Sequence, residues 1–383
     1  MDGADADSAG AERARIMEWL RIERLPPEFD VDAHPRDEML RFLAAAPAVR
    51  RGAARLAWLR SGQEAALALD HALRCAGRTF AAPARVLEFA SGFGRVTRHL
   101  LRWIEPARLT ACEIVPEAVE HVARSFGIES LRSCADPASQ RWPRRFDVIL
   151  VASLFSHLPR PRFAGWLSCL RAALADDGVL IFSTHGRSLP IAPPPDDGDF
   201  AFVPQSESTT LAPAEYGTSF VEPGSAAAMA RAAGFVDLRW RERELWMLQD
   251  LFVAGAAPLA GAGRWDPAPI LDGAIDGIER GAGGEVWLHG WVASRDPGLP
   301  VAQATLHLGR RLAVPATLHP PRREGEALSQ PIERVKSEWH VHAKIPRGWS
   351  GSVPLALEAG RGDERRAVDV RTIDLATRCF VDA

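Results

Sequence analysis

The chain has 383 residues, of which 47% are hydrophobic and 25% charged, and its formal net charge is -3 at pH 7. One hydrophobic core rarely organises a chain of this length, so we expect two or three folded units. No block of arginine or lysine marks a surface for nucleic acid, and no stretch approaches the roughly 18 uninterrupted apolar residues of a membrane helix. These features exclude nucleic acid as an expected partner and argue against a transmembrane segment.

The five cysteines are scattered and form no CxxC pair, which is typical of reduced thiols rather than of a disulfide framework. The N-terminal sequence lacks the basic start and apolar run of a secretory signal. We therefore expect a cytoplasmic protein.

Residues 1–82 are predicted to form an N-terminal tail and a helical cap. Residues 1–10 are small and acidic, as in a loose tail. In the remainder of this segment apolar residues recur at helical spacing, with prolines as interruptions.

Residues 83–255 alternate between strand-like and helix-like patterns, which predicts an α/β domain with a doubly wound parallel sheet. A long irregular stretch between residues 185 and 216 is typical of a lid, a binding loop or a disordered segment. A helix and two further strand-like runs follow it. The predicted strands are residues 86–89, 109–113, 131–134, 146–152, 178–184, 235–240 and 246–254.

The composition and residue pattern of the chain change after residue 255. Residues 256–270 are rich in small residues and proline, which indicates a linker. Residues 271–383 contain short alternating runs between Gly, Pro and Asp turns. This pattern predicts a separate antiparallel β-sandwich as an accessory domain.

The segment "RVLEFASGFGRVTRHL", residues 85–100, places Gly92 and Gly94 at a predicted strand-to-helix turn. Glycine allows close approach of a ligand to the backbone, and the amides that open a helix carry partial positive charge. A nucleotide-like cofactor fits such a turn. Taken alone, the motif also fits a tight turn without a ligand.

Three acids follow or end three successive predicted strands: Glu88, Glu113 and Asp136. Carboxylates at strand ends can accept hydrogen bonds from ribose hydroxyls. Thr97 occupies the sixth place of "GFGRVT", where a dinucleotide fingerprint has Gly or Ala, and Glu88 would repel a pyrophosphate. This favours S-adenosylmethionine as the cofactor. A nicotinamide oxidoreductase is the alternative.

The motifs "VLEFASGFGR", "ACEIVPEAV", "CAD" and "FDVILVASLFSHL" resemble those of class I S-adenosylmethionine-dependent methyltransferases. The resemblance implies a Rossmann-like sheet of seven strands with the last antiparallel. It places Glu88 near the methionine amino group, Glu113 at the ribose and Asp136 at the adenine. The other residues that it implies at the cofactor are Ala90, Gly92, Gly94 and Ser153.

Two weaker resemblances concern the acceptor. The segments "YGTSF" and "LQDLFV" are similar to parts of bacterial methyltransferases encoded with glycan machinery, and "VWLHGWVAS" resembles β-sandwich modules attached to such enzymes. They imply O-methylation of a saccharide or glycan precursor, with a glycosyltransferase or other protein as a possible partner of the C-terminal domain. The alternative is a non-catalytic methyltransferase-like scaffold that recruits glycan-assembly enzymes.

The candidate catalytic residues are His157, His185 and Tyr216. A sugar hydroxyl is scarcely ionised at neutral pH, so a positioned base would assist its methylation. His157 also fits a capping or packing role, His185 a turn residue, and Tyr216 a lid anchor. The histidines of the C-terminal segment lack companion ligands at metal spacing, so no metal site is predicted. Its tryptophans fit a sandwich core better than a sugar-stacking platform.

Overall fold

The structure, a computed structural model, describes residues 3–381 except 51, 83, 188, 190–191, 193–197, 207, 209, 261–264, 297, 325–333, 347 and 363. The chain forms two compact units. Residues 32–42 and 59–268 make up an α/β unit, and residues 1–31, 43–58 and 269–383 make up a β-rich unit. The units therefore combine distant segments, whereas the sequence predicted domains in simple chain order.

Three helices precede the first strand: α1 (Gly3–Ile22), α2 (Glu38–Ala45) and α3 (Ala54–Cys75). The helix α1 already begins at Gly3, so residues 3–10 are helical rather than a loose tail. The later turns of the same helix bury Ile16, Trp19 and Leu20, and a helix that packing has nucleated extends readily to its N-terminal residues.

A parallel sheet forms the centre of the α/β unit. Its first five strands lie in the order β3-β2-β1-β4-β5, which places the chain reversal between β1 and β4. Successive parallel strands with helical crossovers confirm the predicted Rossmann-like fold. The strands are β1 (Val86–Phe89), β2 (Leu109–Glu113), β3 (Glu129–Arg132), β4 (Phe146–Val151) and β5 (Leu174–Gly186). The helices between them are α4 (Thr97–Leu100), α5 (Pro116–Phe126) and α6 (Arg160–Ala173).

The same sheet contains four more strands, and one further helix lies between two of them in the chain. They are β6 (Phe200–Val203), β7 (Thr218–Val221), α7 (Pro223–Ala232), β8 (Asp237–Leu245) and β9 (Gln249–Gly255). Strand β9 runs antiparallel to both β5 and β8, and the hairpin β6–β7 joins the end of β5. The described residues thus form nine strands in one sheet, not the seven that the resemblance implies. The additional pair lies in and after the stretch predicted as irregular, where the short runs "FAFV" and "TSFV" contain residue types common in strands.

The core of the α/β unit lies on both faces of the sheet. Every residue of β2 is buried, as is typical of parallel strands covered on both sides. Aromatic side chains connect the strands to each other and to α6: Phe182 stacks on Phe252 with ring centroids 4.8 Å apart, and Phe89 lies 4.7 Å from Trp166. This packing fixes the strand ends that build the site.

The described residues of the β-rich unit form two antiparallel five-stranded sheets. One apolar cluster draws buried residues from both sheets, including Trp339 and Leu357. This confirms a β-rich C-terminal segment. The strands are β10 (Leu271–Arg280), β11 (Glu285–Ser294), β12 (Gln303–Leu308), β13 (Leu312–Pro315), β14 (Thr317–Leu318), β15 (Arg322–Glu324), β16 (Arg334–Lys344), β17 (Ser352–Arg361), β18 (Glu364–Asp374) and β19 (Cys379–Phe380).

Helix α1 belongs to this unit because its side chains bond within it. The Arg15 guanidinium donates to the Thr372 hydroxyl at 2.7 Å and to the Gly52 carbonyl at 2.6 Å. Within the described part of the chain, no helix has the length and apolar character needed to cross a membrane.

Candidate active site

The turn after β1 has an unusual backbone. Ala90, Gly92 and Gly94 all have positive φ, at 61°, 56° and 84°. A Cβ on Gly94 would lie 2.4 Å from the Phe126 ring, so this position needs glycine for packing. A Cβ on Gly92 would meet no atom within 4 Å. Gly92 therefore faces open space, where a ligand can approach the backbone.

That open space is a cavity of about 340 Å³ in the α/β unit. The ends of β1, β2 and β4 form one side, and residues 36–41 with parts of residues 208–216 form the other. The predicted site residues that line it are Glu88, Ala90, Gly92, Glu113, Ser153 and Tyr216. A second cavity of about 90 Å³ shares Ala90, Glu113 and Tyr216 with the first and continues towards the end of β3.

Glu88 is buried at the end of β1. The Thr97 hydroxyl donates to Glu88 Oε2 at 2.6 Å, so the threonine that departs from the dinucleotide pattern fixes this carboxyl. Burial raises the pKa of Glu88 to about 7, against the lowering effects of the Thr97 hydrogen bond and of Arg95. A buried carboxyl that titrates near neutrality favours a cationic ligand, because a nearby positive charge stabilises its ionised form.

Glu113, at the end of β2, binds the glycine turn. Its Oε2 accepts a hydrogen bond from the Gly92 amide at 2.8 Å, and its Oε1 accepts from the Ile114 and Val115 amides at 2.6 and 3.1 Å. Burial raises the pKa of Glu113, and these three amides oppose that rise. A carboxylate offers about four lone-pair sites, so capacity remains for a ligand hydroxyl.

Asp136 occupies a different environment from the other two acids. It is exposed and lines neither cavity. Its carboxylate accepts hydrogen bonds from the Ser139 hydroxyl and from Arg162, both at 3.0 Å. Strand β3 ends at Arg132, two residues earlier than the sequence pattern predicts, and Cys134 lines the second cavity in place of Asp136. Gly94 also lies outside both linings.

The two histidines predicted as bases line neither cavity. His157 Nδ1 lies 2.7 Å from the Gly217 carbonyl, and its ring stacks on Tyr216 with centroids 4.5 Å apart. Burial, and then the nearby His157, lower the pKa of His185 to about 4, so His185 is neutral at pH 7. Among the three catalytic candidates, only Tyr216 reaches the cavity surface.

Sequence reasoning missed Arg95, which lines the cavity directly after the glycine turn. Its guanidinium lies 4.5 Å over the Trp246 ring, and Nη1 donates to the Ser61 hydroxyl at 3.0 Å. Within the described residues it has no carboxylate within 4.0 Å. Burial lowers the pKa of Arg95, and the more distant Asp37 and Glu64 oppose this. Its position directly after "GFG" is the sequence feature from which Arg95 could have been predicted as a site residue.

Residues 36–41 were also missed, because nothing in their sequence relates them to the glycine turn. Asp37 lines the cavity, is 4% exposed, and accepts a hydrogen bond from the Leu40 amide at 2.8 Å as α2 begins. Glu38 accepts from the hydroxyl of Thr210, another residue of the lining, at 2.9 Å. Asp37, which caps α2, thus reaches the cavity only because the tertiary fold brings it there.

Residues 60–239 match the sequence model of a family described as "Methyltransferase domain". The chain therefore contains a methyltransferase domain. At the level of this domain, the match confirms the predicted class of enzyme, a methyltransferase.

The similar proteins are methyltransferases of varied kinds. The chain is 30% identical over 104 residues to malonyl-[acyl-carrier protein] O-methyltransferase of Acetivibrio thermocellus, covering 27% of this chain and 36% of that protein. It thus spans about a third of that relative's length.

Solved structures give matches of lower identity. One is 1,6-didemethyltoxoflavin-N1-methyltransferase of Burkholderia thailandensis with bound S-adenosylhomocysteine, at 22% identity, 51% and 77% coverage of the two chains and a TM-score of 0.36. Another is an S-adenosylmethionine-dependent methyltransferase of Mesorhizobium loti, at 16% identity, 48% and 95% coverage and a TM-score of 0.36.

Proposed function

We propose that the whole chain acts as a methyltransferase and that S-adenosylmethionine binds in the 340 Å³ cavity of the α/β unit. The observation that carries this proposal is the convergence of two buried carboxyls, Glu88 and Glu113, on one cavity beside the open glycine turn at Gly92. Bound S-adenosylmethionine supplies an activated methyl group, so the protein's main task is to align an acceptor with it.

The charges of the cavity suit the amino-acid end of this cofactor. Glu88 would attract the ammonium group, and Arg95 would receive the carboxylate. Arg95 supports this assignment because it is a cation beside the cavity without a carboxylate in ion-pair distance among the described residues. Glu113 would hold the ribose hydroxyls through its remaining acceptor capacity.

For the acceptor we propose a hydroxyl group of a saccharide or glycan precursor. Support comes from the resemblance of "YGTSF" and "LQDLFV" to glycan-associated methyltransferases, and from Tyr216, which lines both cavities. Tyr216 would orient the acceptor, and His157 would hold the tyrosine ring through stacking. The β-rich unit would bind a glycosyltransferase or another protein partner.

Cofactor binding is tested by isothermal titration with S-adenosylhomocysteine. Gly92→Arg should abolish binding because the side chain would fill the cavity. Gly127→Arg is the matched control, since Gly127 also has positive φ, at 63°, and a Cβ there would also meet no atom within 4 Å, but it lies outside the cavity. Binding by the Gly127 variant and not by the Gly92 variant supports the site. Absence of heat with the wild-type chain would refute the proposal.

Methyl transfer needs a separate test. The wild-type chain with labelled S-adenosylmethionine should label a saccharide extract, and mass spectrometry should find the mass of one added methyl group. The scaffold alternative predicts binding of S-adenosylhomocysteine without transfer to any saccharide.

A further inference from the structure

The turn after β4 is held by a ring of hydrogen bonds that reaches from β9. Ser153 has a φ of 69°, which a residue with a side chain rarely adopts. It lines the cavity together with Ala152 and Leu154. Such a conformation is unfavourable for a residue with a side chain and persists only where the surroundings impose it. The residues that impose it are therefore relevant to the site.

The ring has three members. The Ser153 amide donates to Ser183 Oγ at 2.8 Å, and the Ser183 hydroxyl donates to Gln249 Oε1 at 2.7 Å. Gln249 Nε2 then donates back to Ser153 Oγ at 2.9 Å. Ser183 and Gln249 are 0% and 4% exposed, so these bonds are shielded from water. Bonds in such a closed, buried ring reinforce one another.

Every polar group of Ser153 has a partner within the protein. Besides the ring, the Ser156 hydroxyl donates to the Ser153 carbonyl at 2.7 Å, and Ser156 Oγ can accept from the Ser153 hydroxyl at 3.3 Å. The main contribution of Ser153 to the cavity is therefore the shape of its turn, and not a hydrogen-bond donor for a ligand. Gln249 lies on β9, 96 residues from Ser153 in the chain, and does not line the cavity.

We propose that Gln249 is a positioning residue, which holds the left-handed turn at Ser153 and so keeps the β4 side of the cavity in the shape that the cofactor requires. This rests on the proposed function, since it assigns the cavity to S-adenosylmethionine. Neutral His185 supports the same side chain, because its Nε2 lies 3.4 Å from Gln249 Nε2 and can accept the second amide proton.

The test uses the full chain and titration with S-adenosylhomocysteine. Gln249→Met keeps the length of the side chain and removes both bonds of the ring, and we expect the affinity to fall about tenfold. Ser153→Gly is measured alone as the reference for the double variant, since glycine adopts positive φ without the strain. The double variant Gln249→Met/Ser153→Gly should recover at least about threefold of the lost affinity, because the turn no longer needs support.

A matched control separates this rescue from a general effect of added glycine. Ala90 also has positive φ, at 61°, and lines the same cavity, but Gln249 does not bond to it. Gln249→Met/Ala90→Gly should show no recovery. Ser183→Ala provides a second way to open the ring and should weaken binding in the same direction.

The outcomes distinguish the two proposals. Failure of the wild-type chain to bind S-adenosylhomocysteine overturns the proposed function. Wild-type binding with an unchanged Gln249→Met affinity, or a Gln249→Met/Ser153→Gly variant as weak as the single variant, overturns the positioning role alone. Loss of thermal stability without rescue would assign Gln249 to folding only.

Discussion

Two pairs of polar residues lie near the carboxyl edge of the sheet, and they have opposite relations to the cavity. Glu88 and Glu113 are buried and line it, whereas the buried His157 and the half-buried His185 line neither cavity. The carboxyls have raised pKa values, and His185 has a lowered one. Burial thus brings Glu88 towards neutrality and its titration near pH 7, but makes His185 a weak base. A buried polar residue can contact a ligand only where the fold leaves space beside it.

The first prediction tests whether the charge of Glu88 contributes to ligand binding. Glu88→Gln keeps an acceptor for the Thr97 hydroxyl and loses the negative charge, so we expect affinity for S-adenosylhomocysteine to fall by about 10- to 100-fold. Glu129→Gln is the control, since Glu129 pairs with Arg144 at the far end of the sheet. Equal affinities of wild type and Glu88→Gln would remove Glu88 from the site.

Glu88→Gln should weaken ligand binding but increase the stability of the folded protein above neutral pH. The folded-state pKa of Glu88, about 7, exceeds its ordinary value of 4.5, so the folded state binds more protons between these values. This contribution to stability is present at low pH and is lost as pH rises from 4.5 to 7. Glu88→Gln should therefore raise the melting temperature at pH 8 and have little effect at pH 5, as measured by scanning calorimetry.

The second prediction concerns the opposite charge. Arg95→Gln should weaken binding of S-adenosylhomocysteine about tenfold, because it removes a charge-assisted bond to the carboxylate. Decarboxylated S-adenosylmethionine lacks that carboxylate, so its affinity should not change. Arg124→Gln, on the exposed face of α5, is the matched control. If Arg95→Gln weakens both ligands equally, the residue supports the cavity without binding the carboxylate.

The third prediction follows from the titration of Glu88. Since the ammonium group of the cofactor favours ionised Glu88, affinity should rise as pH increases through 7, by about tenfold between pH 6 and pH 8. Glu88→Gln should flatten this profile. A profile that falls with pH, or one that survives in the variant, would assign the titration to another group.

The residues that the sequence assigned to the cofactor line the cavity more often than those that it assigned to catalysis, for a physical reason. Glu88, Gly92 and Glu113 lie at or within a few residues of strand ends, and strand order in a parallel sheet brings those ends together. Arg95 stands beside the same motif and could have been found. Asp37 enters the cavity from another part of the chain, and no local pattern marks it.

The remaining differences come from tertiary pairing. Strand β7 of the hairpin β6–β7 pairs with the last residues of β5. Gln249 reaches Ser153 only because β9 pairs with β5. Such contacts join residues that are distant in the chain. Periodicity identifies the strands but does not specify which strand ends meet.

The smallest expected effects concern the histidines. His185→Ala should leave kcat for methyl transfer within about threefold of wild type, since a base with a pKa near 4 outside the cavity lining contributes little proton transfer at pH 7. His157→Phe keeps a ring against Tyr216 and should retain activity, whereas His157→Ala should raise KM for the acceptor by loosening the tyrosine. A loss of kcat of about 10² or more in both His157 variants would restore that histidine as the base. Retained kcat would leave the reaction to alignment of acceptor and cofactor, with Tyr216 as the residue that orients the acceptor.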